Sequence, residues 1–432
     1  MGRFSFFSEI VTGLLERTPF GAPEGTGQTL DTLCHALLSG RGEISGKRVA
    51  QDILSRYQGL DAGERLAFFR LMAQGMDVDI KAVIRTAEAY GKAPTGAGYA
   101  AFAAAAEPPR QEYLRRLNQA PGATLELVRM RLDLLGLLPE HPELAPLDLD
   151  FVHLFRSWFN RGFLVLRRID WHTPANILEK IIAYEAVHAI NDWSDLQRRL
   201  LPEDRRCFAF FHPAMLEDPL IFVEVALCKG IPGSVQSLLA ETRTPLPLAQ
   251  ADTAVFYSIS NCQEGLRGIS FGNSLIKQVV EELRQELPHL DSFVTLSPIP
   301  GLMRHLASQD SDPARTIAKA AKAGERKRLE AMAPQIRLAA ADYLVNAKRG
   351  AAPLDPVARF HLGNGALIHR VHAGADISDN GIRQSAGAMV SYLYDLARVE
   401  ANHEGFATAN RVVISKEIKA LLQTGAAQGK QT

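Results

Sequence analysis

Gly265, Gly268 and Gly272 separate an apolar run, Thr253 to Ser260, from a stretch of helical period that begins at Asn273. Glycines there let the backbone approach a ligand closely and adopt positive φ. The first turn of the following helix presents unpaired N–H groups, a setting in which phosphate binds well. After the helix, the run Ser292 to Ser297 ends on a hydroxyl, in Leu296-Ser-Pro-Ile-Pro-Gly301. An anion site and a reactive hydroxyl are thus a short length of chain apart. His361, His369 and His372 cluster further along, with His361 in Phe360-His-Leu-Gly-Asn-Gly365. Imidazole is the side chain suited to proton transfer near neutral pH. Each candidate also has a plain structural reading. A serine before proline serves turns, and a histidine between Phe360 and Leu362 fits a hydrogen-bonded core position.

Other chemistries are less well supported. His369-x-x-His372 has ligand spacing, but no acidic or cysteine partner stands at a motif position, so no metal is expected. Cys34, Cys207, Cys228 and Cys262 lack CxxC spacing, which argues against a zinc ribbon or a disulfide framework and for buried reduced thiols. Cys262 lies near the glycine loop, where alkylation would block a ligand. The 48 basic residues balance 48 acidic ones, so no global field points to nucleic acid or an acidic membrane. Arg205 and Arg206, and the basic run Lys319 to Arg328, remain local candidates for phosphate contact beside their reading as solvated helix faces.

The elements that must position these groups divide near residue 160. At 432 residues and 47% apolar composition the chain can build two or three sizeable cores. Before the division the period is helical: Val49, Ile53 and Tyr57 mark one face, and Leu125, Val128, Leu132 and Leu135 another. Asp61 and Glu64 have capping-box spacing, and Pro94 to Pro109 reads as a loop around a short Ala-rich helix. After it, Cys207 to Pro213, Leu220 to Leu227, Thr253 to Ser260 and Ser292 to Ser297 read as strands. Leu275, Val279, Leu283 and Leu287 line the helix between the last two, and Pro288 ends it. Asp310 to Arg349 and Ser385 to Leu422 read as mainly helical. The expectation is α+β, with a helical domain over 1–160 and a mixed-sheet catalytic domain over 161–432 carrying extra C-terminal helices. His212-Pro213, Glu224 and Tyr257 lie on strands near the glycine loop and are candidates for a pocket wall or for plain burial.

Several segments resemble the malonyl-CoA decarboxylase family: SWFNRGFLVLRRIDWHTP (Ser157 to Pro174), YEAVHAINDWSDLQRRL (Tyr184 to Leu200), DPLIFVEVALC (Asp218 to Cys228), the glycine-loop stretch through LSPIPG, and ARFHLGNGALIHRVH (Ala358 to His372). The resemblance implies a catalytic half like the N-acetyltransferase (GNAT) fold, with strands splayed around the acyl group. It implies coenzyme A binding by Arg267, Gly268, Ile269, Ser270, Phe271, Gly272 and Asn273. Carried residue by residue, the family's proton acceptor is Ser297 and its proton donor His361, and both contact substrate. A free serine is a poor base, so Ser297 is expected to act as a hydrogen-bonding partner of the carboxylate or enolate. His361 is expected to protonate the α-carbon, its imidazolium being accessible near neutral pH.

Malonyl-CoA would become acetyl-CoA and CO2 with no cofactor, since the thioester carbonyl is the electron sink. Homotetramers, as a dimer of dimers with helical-domain contacts, are implied too. Two departures stand out: Ser270 replaces a carboxylate found in some relatives, and Gly363 a glutamine found in others. The alternatives are an acyl-CoA-dependent N-acetyltransferase and a non-enzymatic coenzyme A-binding scaffold. The stretch Met1 to Gly21 is poor in arginine and carries Glu9 and Glu16, and the chain does not end in Ser-Lys-Leu, so a cytoplasmic protein without membrane association is expected.

Overall fold

The computed structural model describes residues 28–39, 43–271 and 275–428. Two compact units emerge: the chain up to Phe163 together with Gln263–Ser270, and Leu164–Cys262 together with Phe271 onward.

Among the described residues the first unit is built of helices: α1 (Leu30–Leu38), α2 (Glu43–Gln58), α3 (Ala62–Arg70), α4 (Ile80–Lys92), α5 (Gly96–Ala106), α6 (Pro109–Leu117), α7 (Ala123–Leu137) and α8 (Ala145–Trp158). Val49, Ile53 and Tyr57 form the buried face of α2, as their spacing predicts. Asp61 and Glu64 close the expected capping box on α3, each side chain accepting from the other's backbone N–H. Helix α7 departs from expectation. Leu132 is exposed and Leu125 and Leu135 are half-buried, while Leu127, Met130, Arg131 and Leu134 face inward. Arg131 can sit in that face because Asp148 and two backbone carbonyls receive its N–H groups. A hydrogen-bonded cation thereby takes a place that a hydrophobicity pattern assigns to leucine.

The second unit is a mixed sheet flanked by helices. Strands β1 (Val165–Ile169), β2 (Arg205–Phe211), β3 (Ile221–Cys228) and β4 (Thr253–Asn261) run antiparallel in sequence. Helices α9 (Ala175–Tyr184) and α10 (Trp193–Leu200) join β1 to β2 and bury Ile177, Leu178, Ile181, Leu196 and Leu200 against Cys207, Ala209, Phe211 and Phe222. The short α11 (Val235–Leu239) follows β3. Helix α12 (Leu275–Glu286) connects β4 to β5 (Ser292–Thr295), which is parallel to it. Leu275, Ile276, Val279, Val280 and Leu283 are the buried face of α12. The parallel connection requires a crossover of this kind.

After β5 come the two-residue β6 (Ser297–Pro298), helices α13 (Leu302–Ala307), α14 (Asp312–Lys322), α15 (Arg326–Ala331) and α16 (Ala333–Asn346), and a small ladder of β7 (Lys348–Arg349) with β8 (Ala352–Pro353). Then follow α17 (Pro356–Gly363), β9 (Leu367–His372), α18 (Asp379–Ser385), β10 (Met389–Leu393), α19 (Val399–Ala409) and α20 (Lys416–Gln428). The stretch Ser385 to Leu422 is therefore not mainly helical at its start. Its residues Met389–Leu393 form a strand inside the sheet, pairing with β5 and β6 and, antiparallel, with β9. The arrangement is the expected α+β one, helices first and then a mixed sheet with C-terminal helices. No helix among the described residues is long and apolar enough to cross a membrane.

Candidate active site

The site forms where two parallel neighbours part. β4 and β5 pair from Thr253↔Ser292 to Phe256↔Thr295, and the last bond runs from Leu296 N–H to Phe256 O, 3.0 Å. β4 then continues along β3 to Asn261, while Ser297 and Pro298 pair with Val390 and Met389 of β10. Ser297 thus does not end β5, as the sequence suggested, but begins the departure toward β10. Opposite the gap, β4 carries a bulge: Glu224 pairs with Ser258 and Val225 with Phe256, leaving Tyr257 as the extra residue.

Helix α17 lines the gap as well. Asp355 caps it by accepting from Ala358 N–H at 2.8 Å, and Pro356 occupies the first turn, where its missing N–H costs nothing. Pro356, Val357, Phe360 and His361 share a helical face and line a cavity of about 290 Å³ with Ser297 and Asn261. Val187, Ile221, Ile259 and Leu296 give the cavity a predominantly apolar wall, and no Lys or Arg is among its lining residues.

Ser297 and His361 meet there: Ser297 Oγ lies 3.1 Å from His361 Nε2. The Ser297 hydroxyl donates to Thr295 Oγ1 at 2.8 Å, and that oxygen also accepts from Tyr392 N–H at 3.2 Å. With its single proton committed, Ser297 Oγ must accept from Nε2–H. Nδ1 is then the imidazole's acceptor, and Tyr394 O–H donates to it across 2.8 Å. The ring stacks on Tyr392 with centroids 4.5 Å apart. Only 2% of His361 is exposed. Burial lowers its pKa from 6.5 to about 3. The expectation of an accessible imidazolium near neutral pH therefore fails for the unliganded site, because this interior offers the charged ring no compensating partner.

The other sequence candidates scatter. Tyr257 lines the cavity. Glu224 is fully buried and accepts from Arg199 Nη1 at 3.1 Å, with desolvation raising its carboxyl to about 8 against the pull of Arg199. His212 Nδ1 accepts from Ala214 N–H in a turn. Arg205 and Arg206 are buried; Arg205 pairs with Asp204 and Arg206 with Glu286, so neither is a solvated cation for phosphate. Cys262 is 4% exposed and burial pushes its thiol well up, which opposes alkylation. His369 sits at the irregular step of the β9–β10 ladder, and His372 Nε2 lies 3.0 Å from Ser391 Oγ.

In the loop, Arg267, Gly268 and Ser270 are exposed and Ile269 and Phe271 buried. Arg267 to Ser270 group with the helical unit, Phe271 with the sheet unit. Gly272 and Asn273 lie outside the described residues.

Thr295, Tyr392 and Tyr394 were missed by the sequence reading. Thr295 lies within the run Ser292 to Ser297 that reads as a strand, whereas Tyr392 and Tyr394 lie in Met389-Val-Ser-Tyr-Leu-Tyr394, whose aromatic residues are its one local strand signal.

The chain matches the malonyl-CoA decarboxylase C-terminal domain over residues 162–432 and the malonyl-CoA decarboxylase N-terminal domain over residues 76–159. It is 33% identical over 420 residues to the mitochondrial malonyl-CoA decarboxylase of Rattus norvegicus, covering 86% of this chain and 84% of that protein. It is also similar to the crystal structure of malonyl-CoA decarboxylase from Rhodopseudomonas palustris, at 49% identity and a TM-score of 0.84 over 90% of this chain and 98% of that one. The corresponding structure from Agrobacterium vitis gives 47%, 0.85, 91% and 99%.

Proposed function

This chain belongs to the malonyl-CoA decarboxylase family, and we propose that it converts malonyl-CoA to acetyl-CoA and CO2 with Ser297 and His361 as its catalytic pair. The observation that carries this reading is the Ser297–His361 hydrogen bond within an apolar cavity. The bond from the α-carbon to the carboxylate breaks, and its electron pair passes into the thioester carbonyl. CO2 leaves, and the enolate takes one proton at the α-carbon. The thioester is its own electron sink, so the reaction calls for neither a metal nor an organic cofactor.

Three features of the cavity suit these steps. An apolar wall without a cationic side chain solvates a carboxylate poorly, which favours a reaction that disperses its charge. In the unliganded site the Nε2–H is given to Ser297 Oγ and the Ser297 proton to Thr295 Oγ1, and an enolate oxygen placed between them would take over one of these donors, which is typically worth ~10²–10³ in rate. The substrate carboxylate, brought beside a neutral imidazole, raises that ring's proton affinity. The ring therefore takes up a proton from solvent as the carboxylate binds, and that proton is the one His361 delivers to the α-carbon. In the neutral ring Tyr394 O–H donates to Nδ1 and so holds Nε2–H toward Ser297; once the ring is protonated Nδ1–H becomes a donor and the Tyr394 oxygen accepts from it.

Coenzyme A is assigned to Arg267, Gly268, Ile269, Ser270, Phe271, Gly272 and Asn273 by family resemblance. Exposure of Arg267, Gly268 and Ser270 supports that role. A homotetramer, as a dimer of dimers through helical contacts, is supported by α4 and α5, which bury none of their residues and leave Ile80, Ile84 and Tyr99 exposed. A cytoplasmic location remains part of the proposal.

The test is release of CO2 and acetyl-CoA from malonyl-CoA by the native protein beside His361→Ala. Stoichiometric release, with a loss of at least ~10² in the folded variant, supports both reaction and proton donor. Release that survives the substitution removes His361 from the role. Coenzyme A binding without release would turn the reading to acyl transfer or to a sensor.

A further inference from the structure

The glycine loop is built on helix α7. Gln263–Ser270 packs with the helical unit although it lies between β4 and α12 in sequence. Two contacts inside that unit explain the placement. Gly265 lies so close to α7 that a Cβ on it would stand 2.0 Å from Val128 O, a distance no side chain tolerates. Arg131, 2% exposed, donates from Nη1 to Gly265 O at 2.7 Å and to Arg267 O at 2.9 Å, while its Nε donates to Asp148 at 2.8 Å.

The bond to Arg267 O has a directional consequence. A trans peptide points its C=O and N–H in opposite directions. With Arg267 O fixed toward Arg131, the Gly268 N–H is turned away from α7. Gly268 has φ +81, open to glycine but strained for other residues, and no atom lies within 4 Å of where its Cβ would be. The loop therefore presents a backbone donor on an exposed glycine, and a buried arginine sets its direction.

We propose that Arg131 is a positioning residue for substrate binding: it aims the Gly268 N–H at the anionic phosphate portion of coenzyme A. This rests on the assignment of the loop to coenzyme A made above. Arg131 does not touch the ligand and acts through the loop backbone alone. Its loss should weaken binding and spare chemistry.

Three full-length variants test it: Arg131→Met removes the donors, Arg131→Lys retains charge but not the fork, and Gly265→Ala pries the loop from α7 while leaving Arg131 intact. The readouts are the Kd of coenzyme A by calorimetry and the KM and kcat for malonyl-CoA. Arg131→Met and Gly265→Ala should each raise Kd and KM together by about tenfold with kcat within about twofold, and Arg131→Lys should fall between. If Arg131→Met fails to fold, the other two variants carry the same comparison. Unchanged coenzyme A affinity in folded variants overturns the proposal, as does a fall in kcat and melting temperature without a change in Kd, the mark of a purely structural anchor. A native protein that binds coenzyme A but releases no CO2 overturns the decarboxylase reading alone, and weakened binding in the variants would still support the role of Arg131.

Discussion

Acidifying the unliganded protein from about pH 8 to about pH 5.5 should leave His361 neutral, although an ordinary histidine becomes charged across that range. The ring is 2% exposed, stacks on Tyr392, and is bonded by Ser297 and Tyr394, neither of them anionic. A pKa lowered from 6.5 to about 3 makes protonation cost roughly 5 kcal/mol more than in water. At about pH 7 only roughly one molecule in ten thousand then carries an imidazolium. The assay is nitrogen-edited NMR of the imidazoles, with His361 assigned by the signal missing from His361→Gln. The expected spectrum is that of an Nε2–H tautomer, unchanged with pH in the free protein. A carboxyl-bearing, unreactive analogue of malonyl-CoA should move the ring toward the charged form, and acetyl-CoA, which has no carboxylate, should not. A titration midpoint between about 6 and 7 in the free protein would refute the reasoning, because the buried environment would then not control the proton.

The same numbers fix the sign of a stability effect. Between 6.5 and about 3 the unfolded chain binds a proton at this histidine and the folded chain does not. Stability retained above pH 6.5 by burying a neutral ring is therefore lost progressively as pH falls toward the folded value. The pH profile of kcat/KM, which reports the free enzyme, should show no step at the usual histidine pKa.

Ser297→Ala should lower kcat by ~10²–10³ while leaving the circular dichroism spectrum unchanged, since it removes a hydrogen-bonding group and no appreciable volume. Tyr394→Phe leaves Nδ1 without its donor and should lower kcat by roughly tenfold, with a change in the His361 tautomer signal that a packing defect alone would not produce. In the helical unit, Arg110 is 5% exposed and bonds Asp150, itself buried. Arg110→Met leaves the buried Asp150 charge without its cation, with a hydrogen bond from Gln111 Nε2 still in place, and should cost roughly 3 kcal/mol of stability in a denaturant titration.

The legible parts of this molecule were those with one exposed and one buried face, or with a cap. Helix α12 alternates by fours, α2 does so at Val49, Ile53 and Tyr57, and the Asp61 box declares its own start. Strand β10 was illegible for the opposite reason. Met389, Val390, Ser391 and Tyr392 are all buried, so no alternation of polar and apolar residues marks them, and the surrounding composition favours helix. Missing β10 also hid Tyr392 and Tyr394, and with them the environment that suppresses the charge on His361. The pairing of Ser297 with His361 came from family resemblance, because residues so far apart in sequence carry no local signal of contact. Arg131 was hidden too: a buried cation satisfied by backbone carbonyls breaks the apolar stripe that a helix reading relies on.

The gap itself can nevertheless be traced to two prolines. Along a strand, alternate residues turn their N–H groups to the same edge. Leu296 donates to Phe256 of β4, so residues 298 and 300 would supply the next donors toward that neighbour. Both are prolines and have no N–H to give. The parallel ladder must therefore stop at Leu296, while Ser297, whose backbone faces the other edge, is free to pair with Val390 of β10. One local rule of covalent structure thus separates the strands, opens the cavity between them, and leaves the Ser297 hydroxyl at its edge within reach of His361. The Ser-Pro-Ile-Pro sequence acts less as a turn, its usual reading, than as a device that ends one strand pairing and permits another.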